Sequence, residues 1–511
     1  TAAQLASAGA GPGQPCPSGA TVRHYDVSAI NVDIPLNRFG DHDPLGKMYV
    51  LDKAIPAVRA EEKSRNVSLG LREDPIQPLV IRANEGDCVE VSFTNSASGG
   101  DLGMHIDGLS YESGSSGDAV GRNASSAAAR GETRLYRFYV PADPALQGSH
   151  YIRPGAGNRQ AVAHGLFGSL TVEPPGSTWK SIEDGGPIES GWQASISPAT
   201  GKAFREYVKI FHEVGDESYS IPDGKGGTLP RVDPHTTSYR PSSRAINYRS
   251  EPFMHRLDKN PDLKALSYNS YTYGDPVTPM PRGYLGDPTK IRILHAGSEV
   301  FHVYHLHGGG IRWRLNPVGD HTFSYEDTGL NKRPKVAESA SSRLDSQAFG
   351  PGESYNLEIE GGAGGVQQSA GDFLFHCHIA EHYVSGMWSF WRVYDTRQPD
   401  LKPLPDRTPL PDGVNSAGLI GKTMPDGTKL TADNIDQWIR PQLPTPGTAV
   451  NAMDAANVWD WKVDNADPQK PLYLGAPEDK SGWQDLHNAG DSSQLPGHPG
   501  LYAGDTPVGP D

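Results

Sequence analysis

The apolar residues of this chain fall into short alternating runs, each closed by a turn signal, and that pattern restricts the fold before any motif is read. "PLVIRANEGDCVEVSFTN" at 78–95 reads as two strands around a turn at Glu85-Gly86-Asp87. "GETRLYRFYVP" at 131–141 gives another, and "HGLFGSLTVEP" at 164–174 a closing strand stopped by Pro174-Pro175. A second set follows in "REYVKIFHEV", "KIRILHAGSEVFHVYHLHG", "ESYNLEIEGGAGG" and "GDFLFHCHIAEHYVSGMWSFWRVYD". With 59 glycines and 44 prolines in 511 residues, breakers come too often for long helices. The expectation is an all-β chain of stacked short strands.

The length exceeds one ordinary core and calls for more than one domain. The strand runs divide the chain into a first sandwich over 20–176 and a second over 200–396. The second carries a polar, turn-rich insertion at about 217–283. Beyond it lies a Pro/Gly-rich tail, 397–511, that wraps the surface or meets a partner chain. One short helix is expected in the tail, with Thr431 capping "ADNIDQWI". A net charge of −15 argues against a nucleic-acid partner and suits a neutral or cationic substrate. No apolar run approaches a membrane span. The opening "TAAQLASAGAGPGQPCPSG" reads as a mature N-terminus after signal removal, hence a secreted or periplasmic location. Of the three cysteines, Cys377 sits among histidines, which leaves Cys16 and Cys88. They either form a bridge pinning the N-terminal arm in an oxidising compartment or stay as two unpaired, buried small residues.

"FLFHCHIAEHYVSGMW" at 373–388 holds three histidines, one of the three cysteines and one of only seven methionines. Cys377 and His382 lie at the two ends of a loop, with Met387 beyond, and His302 in "FHVYHLHG" can supply a second imidazole. Two imidazoles and a thiolate in a plane, with a long thioether bond, make the blue-copper electron-transfer arrangement. His376 and His378 flank the cysteine. On a strand they share one face while Cys377 takes the other. His305 and His307 repeat the i, i+2 device, so four imidazoles from two adjacent strands can converge on one point.

"HCHIAEHYVSGM" and "HVYHLHG" resemble the paired copper motifs of multicopper oxidases. "RAINYRSEPF", "GYLGDPTK", "EIEGGAGG" and "GMWSFWRVYD" are similar to the bacterial subgroup that includes manganese-oxidising enzymes. The resemblance runs from about residue 20 to 396. It implies two cupredoxin-like Greek-key domains, the tail remaining irregular, with a type 1 copper and a trinuclear copper cluster that reduces dioxygen. It assigns His302, Cys377, His382 and Met387 to type 1 copper, His305 to type 2, and His307, His376 and His378 to type 3. It also implies a small-molecule or metal-ion electron donor. Two sandwiches are few for this family, and two-domain relatives close the interdomain site as trimers, so a homotrimer is expected.

The first sandwich departs from the family pattern. Where a His-x-His pair is expected, "GMHIDGLSY" keeps His105 but has Asp107. Where a second pair is expected, "GSHYIRPG" places Arg153 and Gly155. Arginine is a fixed cation that cannot ligate copper, so three of eight imidazoles are missing. His105 and His305, with Asp107 or water, would still suffice for a mononuclear copper. Three functions follow: an oxidoreductase with a working type 1 copper and an altered second centre, a non-catalytic electron-transfer or copper-binding protein, or a structural subunit on an oxidase scaffold. Dioxygen uptake favours the first, a reversible one-electron couple without turnover the second, and absence of bound copper the third.

Overall fold

The computed structural model describes residues 15–215, 242–253, 275–308 and 343–407, apart from 39, 40, 44, 65, 73, 156, 157, 367 and 368, with a few short pieces elsewhere. The helix expected after Thr431, and most of the tail, lie outside the described residues.

Four sheets carry the fold, two to each sandwich. In the first sandwich, one sheet orders Lys47–Leu51, Val22–Asn31, Cys88–Asn95, Thr133–Tyr139 and Ser110–Tyr111. The facing sheet orders Leu79–Asn84, Gly168–Glu173, Gly148–Arg153 and His105–Ile106. The turn at 85–87 therefore does not close a hairpin: its two strands belong to opposite sheets. Val22–Asn31 runs parallel to Cys88–Asn95, and Gly168–Glu173 parallel to Leu79–Asn84. Alternate residues Val89, Val91 and Phe93 turn inward to meet Ile81, Tyr136, Phe138 and Leu170 in one apolar core. The disulfide Cys16–Cys88 ties the N-terminal arm to the start of an inner strand.

The second sandwich pairs a sheet centred on Phe204–Glu213, Thr289–His295 and Ser354–Ile359 with a sheet ordered Arg282–Tyr284, Trp388–Tyr394, Gly371–Cys377, His302–Leu306 and Ser346–Phe349. Its first sheet already begins at Thr178–Lys180 and Gln193–Ser197, ahead of the expected boundary at 200. Phe204–Glu213 is buried at all ten positions. Tyr207 and Phe211 face its own core, while Val208 and Ile210 face a third core built between the sandwiches from Ile30, Met48, Val80, Phe167, Tyr248 and Trp388. A strand buried on both sides needs apolar or paired residues on both faces. Glu206 accordingly meets Arg82 at 2.9 Å and Arg292 at 3.1 Å within the seam.

The reading of 217–283 as a polar insertion needs correction where the structure describes it. Arg244–Ile246 pairs with Phe204–Glu213, Arg282–Tyr284 pairs with Trp388–Tyr394, and residues 242–253 are buried. Their polar side chains misled the pattern because they are charged partners within the core: Arg249, for example, meets Glu61 and Asp74. The first residues of the tail are pinned as well. Leu401 and Leu404 are buried, and Asp400 pairs with Arg72 and Arg282. No helix among the described residues is long and apolar enough to cross a membrane.

Candidate metal centres

The antiparallel pairing of His302–Leu306 with Gly371–Cys377 sets Tyr304 opposite Cys377 and His305 opposite His376. That register places His302 and Cys377 on the core side of the sheet and the flanking histidines on the other. After Cys377 the chain makes a short helix, Ala380–Val384, which turns His382 inward. The N–H of Cys377 then donates to Met387 O at 3.1 Å, and Met387 N–H to His382 O at 3.0 Å. Met387 is fully buried in the same core. The return is possible because Gly386 has φ +123° and a Cβ there would lie 2.0 Å from Ser250 Oγ. The buried 242–253 segment thus clamps the loop, with Glu251 N–H donating to Gly386 O and Trp388 Nε1 to Glu251 O.

Three buried donors converge here. His302 Nδ1 and His382 Nδ1 are 3.1 Å apart, and Cys377 Sγ lies 3.7 Å and 3.3 Å from them. Donors roughly 2.0–2.3 Å from one ion in a plane stand about 3.5 Å from each other, so the triangle fits a single metal. Val303 N–H points at Cys377 Sγ from 3.4 Å, as a thiolate ligand requires. Burial depresses His302 to about 4 and His382 to about 2, and pushes the Cys377 thiol up to about 12. The imidazoles are held neutral and ready to ligate, while thiolate ligation expels a proton. Behind His302 stands Glu213. Burial works against its ionisation, but His302, His295 and Arg244 hold it well below the usual carboxylate range.

On the outer face, His305, His307 and His376 form a second convergent group, with His378 beside it. His376 Nδ1 donates to the Cys377 carbonyl at 2.8 Å and His305 Nδ1 to the Asp345 carbonyl at 2.8 Å. Each leaves Nε2 for a metal, the tautomer fixed from behind. His307 Nε2 is 2.9 Å from His376 Nε2. Burial depresses His376 to about 3. His307 and His378 are exposed, so the group opens outward from the chain.

The first sandwich contributes to neither group. His105 Nε2 meets Asp107 Oδ1 at 3.1 Å and its Nδ1 meets Ser116 O at 2.7 Å, so both ring nitrogens face acceptors. Arg153, in register with His105, also binds Asp107. Burial opposes ionisation of Asp107, but hydrogen bonds from His105 and Arg153 outweigh it and keep the carboxyl below its usual range. A Cβ at Gly155 would stand 2.1 Å from Asp118 Oδ1, leaving no room for a histidine there. His150 spends its nitrogens on the Asp107 and Leu146 carbonyls, and His164 pairs with Asp43. Asp107 and Arg153 instead line a cleft of about 370 Å³ shared with Gly297, Ser298, Pro351 and Gly352. The structure therefore does not bring His105 and His305 into one donor group.

Sequence reasoning missed Glu213 and His295. His295 was visible seven residues ahead of His302, but without a second periodic partner it carried no signal. Glu213 is brought there by the parallel pairing of Phe211 with His295, which no local spacing reveals.

Residues 63–177 match the family model for multicopper oxidase. A probable nitrite reductase–hydroxylamine oxidoreductase fusion protein of Kuenenia stuttgartiensis is 21% identical over 319 residues, 62% of this chain; the chain spans 28% of that protein's length. Among solved structures, a multicopper oxidase is similar with a TM-score of 0.42 at 17% identity, covering 76% of this chain and 99% of its own. A copper nitrite reductase from Nitrosomonas europaea gives 0.43 at 15% identity, covering 75% and 97%.

Proposed function

We propose that this chain, a cupredoxin-type copper protein with a multicopper oxidase domain over residues 63–177, is an oxidoreductase that takes single electrons at a type 1 copper and passes them to an altered second copper centre. The carrying observation is the buried triangle of His302, Cys377 and His382, with Met387 on the same loop. Copper bound there would supply a one-electron couple, the soft sulfur donors favouring Cu(I) and the imidazoles Cu(II).

The chain's own residues define the rest. The core around Phe211, Phe349 and Trp391 excludes water from the triangle. The peptide units on either side of Cys377 join the thiolate side to His376 and His378, so the two groups share one covalent path. His305, His307 and His376 can hold one ion, or two with His378. A coupled type 3 pair needs six imidazoles, and the first sandwich gives none: His105 is committed to Asp107 and Ser116, Arg153 is cationic, and Gly155 has no space for a ring. Fewer than four coppers per chain, and weak or absent four-electron reduction of dioxygen to water, follow.

The outward-facing imidazoles are best completed by a second copy, and we infer a homotrimer in which a neighbour's first sandwich covers them. The Cys16–Cys88 bridge supports an oxidising, extracytoplasmic location. The electron donor would be a small molecule or metal ion. The test is metal analysis of copper-reconstituted protein together with optical and paramagnetic spectra. A blue protein with one to three coppers per chain is expected; a colourless oxidised protein, or four coppers with water as sole product, refutes the reading.

A further inference from the structure

We propose that Glu213 positions the copper ligand His302 and lowers the reduction potential of the type 1 centre, restricting it to strongly reducing electron donors. The inference rests on the type 1 reading above.

His302 turns Nδ1 toward Cys377 and His382, so Nε2 must carry the proton. Nε2 has no closer hydrogen-bond partner among the described residues, and Glu213 Oε1 lies 3.5 Å from it. That is long for a hydrogen bond, and a small turn of the ring closes it. The carboxylate itself is built in. Glu213 ends the strand Phe204–Glu213 and is 3% exposed, with Ser298 N–H donating to Oε2 at 3.2 Å and Val300 N–H to Oε1 at 3.4 Å. Gly297 makes room for it, since a Cβ there would fall 1.7 Å from Oε2. His295 stacks on the His302 ring at 4.4 Å and 27°. It accepts from Gly297 N–H at Nδ1 and donates from Nε2 to the Val300 carbonyl at 2.6 Å. It therefore clamps the ring without competing for its proton.

A turn spanning 295–300 thus serves two purposes: it holds a carboxylate, and it presses that carboxylate's target into place. Hydrogen bonding from a ligand imidazole to a carboxylate fixes the tautomer and raises ligand basicity. A buried negative charge beside the ligand also favours the more positive oxidised ion, with little screening by salt. Both effects stabilise Cu(II) and lower the potential.

The experiment is spectroelectrochemical titration of the blue band in the copper-loaded full chain. Glu213→Gln keeps shape and an acceptor but loses the charge. It should retain the band and shift the Cu(II)/Cu(I) ratio at fixed potential at least tenfold toward Cu(I), a rise of about 59 mV for a one-electron couple. Glu213→Asp should lie closer to wild type than Glu213→Gln. Should Glu213→Gln not fold, Gly297→Ala, whose methyl must push the carboxylate aside, should raise the midpoint in the same direction. An unshifted or lowered midpoint in a blue variant, or equal shifts for Gln and Asp, overturns the proposal alone. A colourless wild type overturns the type 1 reading and this proposal with it.

Discussion

Acidifying the copper-free chain should destabilise it through its buried imidazoles. His302 and His212 are depressed to about 4, His376 to about 3 and His382 to about 2, in each case chiefly by burial. In the unfolded chain each titrates near 6.5. Between those values the unfolded state binds protons that the native state refuses, so stability is intact above 6.5 and is lost as pH falls below it. From about pH 7.5 to about pH 5.5 the native rings stay neutral, and the loss depends only on the unfolded value: about 1.4 kcal/mol per histidine, or about 5.5 kcal/mol for four. Glu61 acts in the opposite sense. Burial raises it to about 8 against the pull of Arg249, so its stabilisation is present at low pH and is lost as pH rises through about 8. The histidine contribution is therefore read as a difference. Urea unfolding of wild type, His382→Gln and His376→Gln would be followed across this window. Each variant should show a pH slope flatter than wild type by about 1.4 kcal/mol over the two units. Wild-type and variant curves that stay parallel would refute the reasoning, because those imidazoles would then titrate alike in both states.

Three further outcomes are expected. Cys16→Ser should lower unfolding free energy by about 4 kcal/mol, given the 72-residue separation that the bridge closes, as read from denaturant titration under non-reducing conditions. If the proposed type 1 reading holds, Cys377→Ser should abolish blue absorption in copper-loaded protein while far-ultraviolet circular dichroism stays unchanged, since a hydroxyl fits the fully buried position but is a poor copper ligand there. Asp107→His should leave the copper count below four, because Arg153 remains and Gly155 has no space for a ring; metal analysis after reconstitution checks it.

The sandwiches were legible because alternation on one buried face is a local signal. Val89, Val91 and Phe93 announce their strand whatever they pack against. The convergence of His302, Cys377 and His382 was legible because Cys377 and His382 are close in sequence and His302 stands in an alternating run that reads as a strand. What stayed hidden depends on contacts between distant segments. Residues 242–253 read as part of a polar insertion because Arg244, Asn247 and Arg249 are polar, yet all three are fully buried. Glu213 looked like the end of an ordinary strand until the pairing of Phe211 with His295 carried it to His302. Helix Ile55–Ser64 was missed because its face is mostly exposed and only Val58 and Glu61 are buried, too few to set a period.

The two sandwiches differ in how their polar side chains are committed. On the second sandwich the imidazoles of the two convergent groups each have a fixed tautomer or a convergent neighbour, and the backbone around Gly386 and Gly297 is shaped to the side chains it must pass. On the first sandwich His105, Asp107 and Arg153 form a closed set of partners. Asp107 satisfies both His105 and Arg153, and Asp118 stands within 2.1 Å of where a Gly155 Cβ would be. A single histidine placed at position 107 would therefore leave an uncompensated Arg153 and a blocked position at Gly155. A cluster merely lacking donors would leave polar atoms unsatisfied, and such buried groups are costly. Here Asp107 pairs with both His105 and Arg153 instead. The first sandwich thus presents a closed, ion-paired set of side chains at His105, Asp107 and Arg153, and the convergent imidazoles belong to the second sandwich.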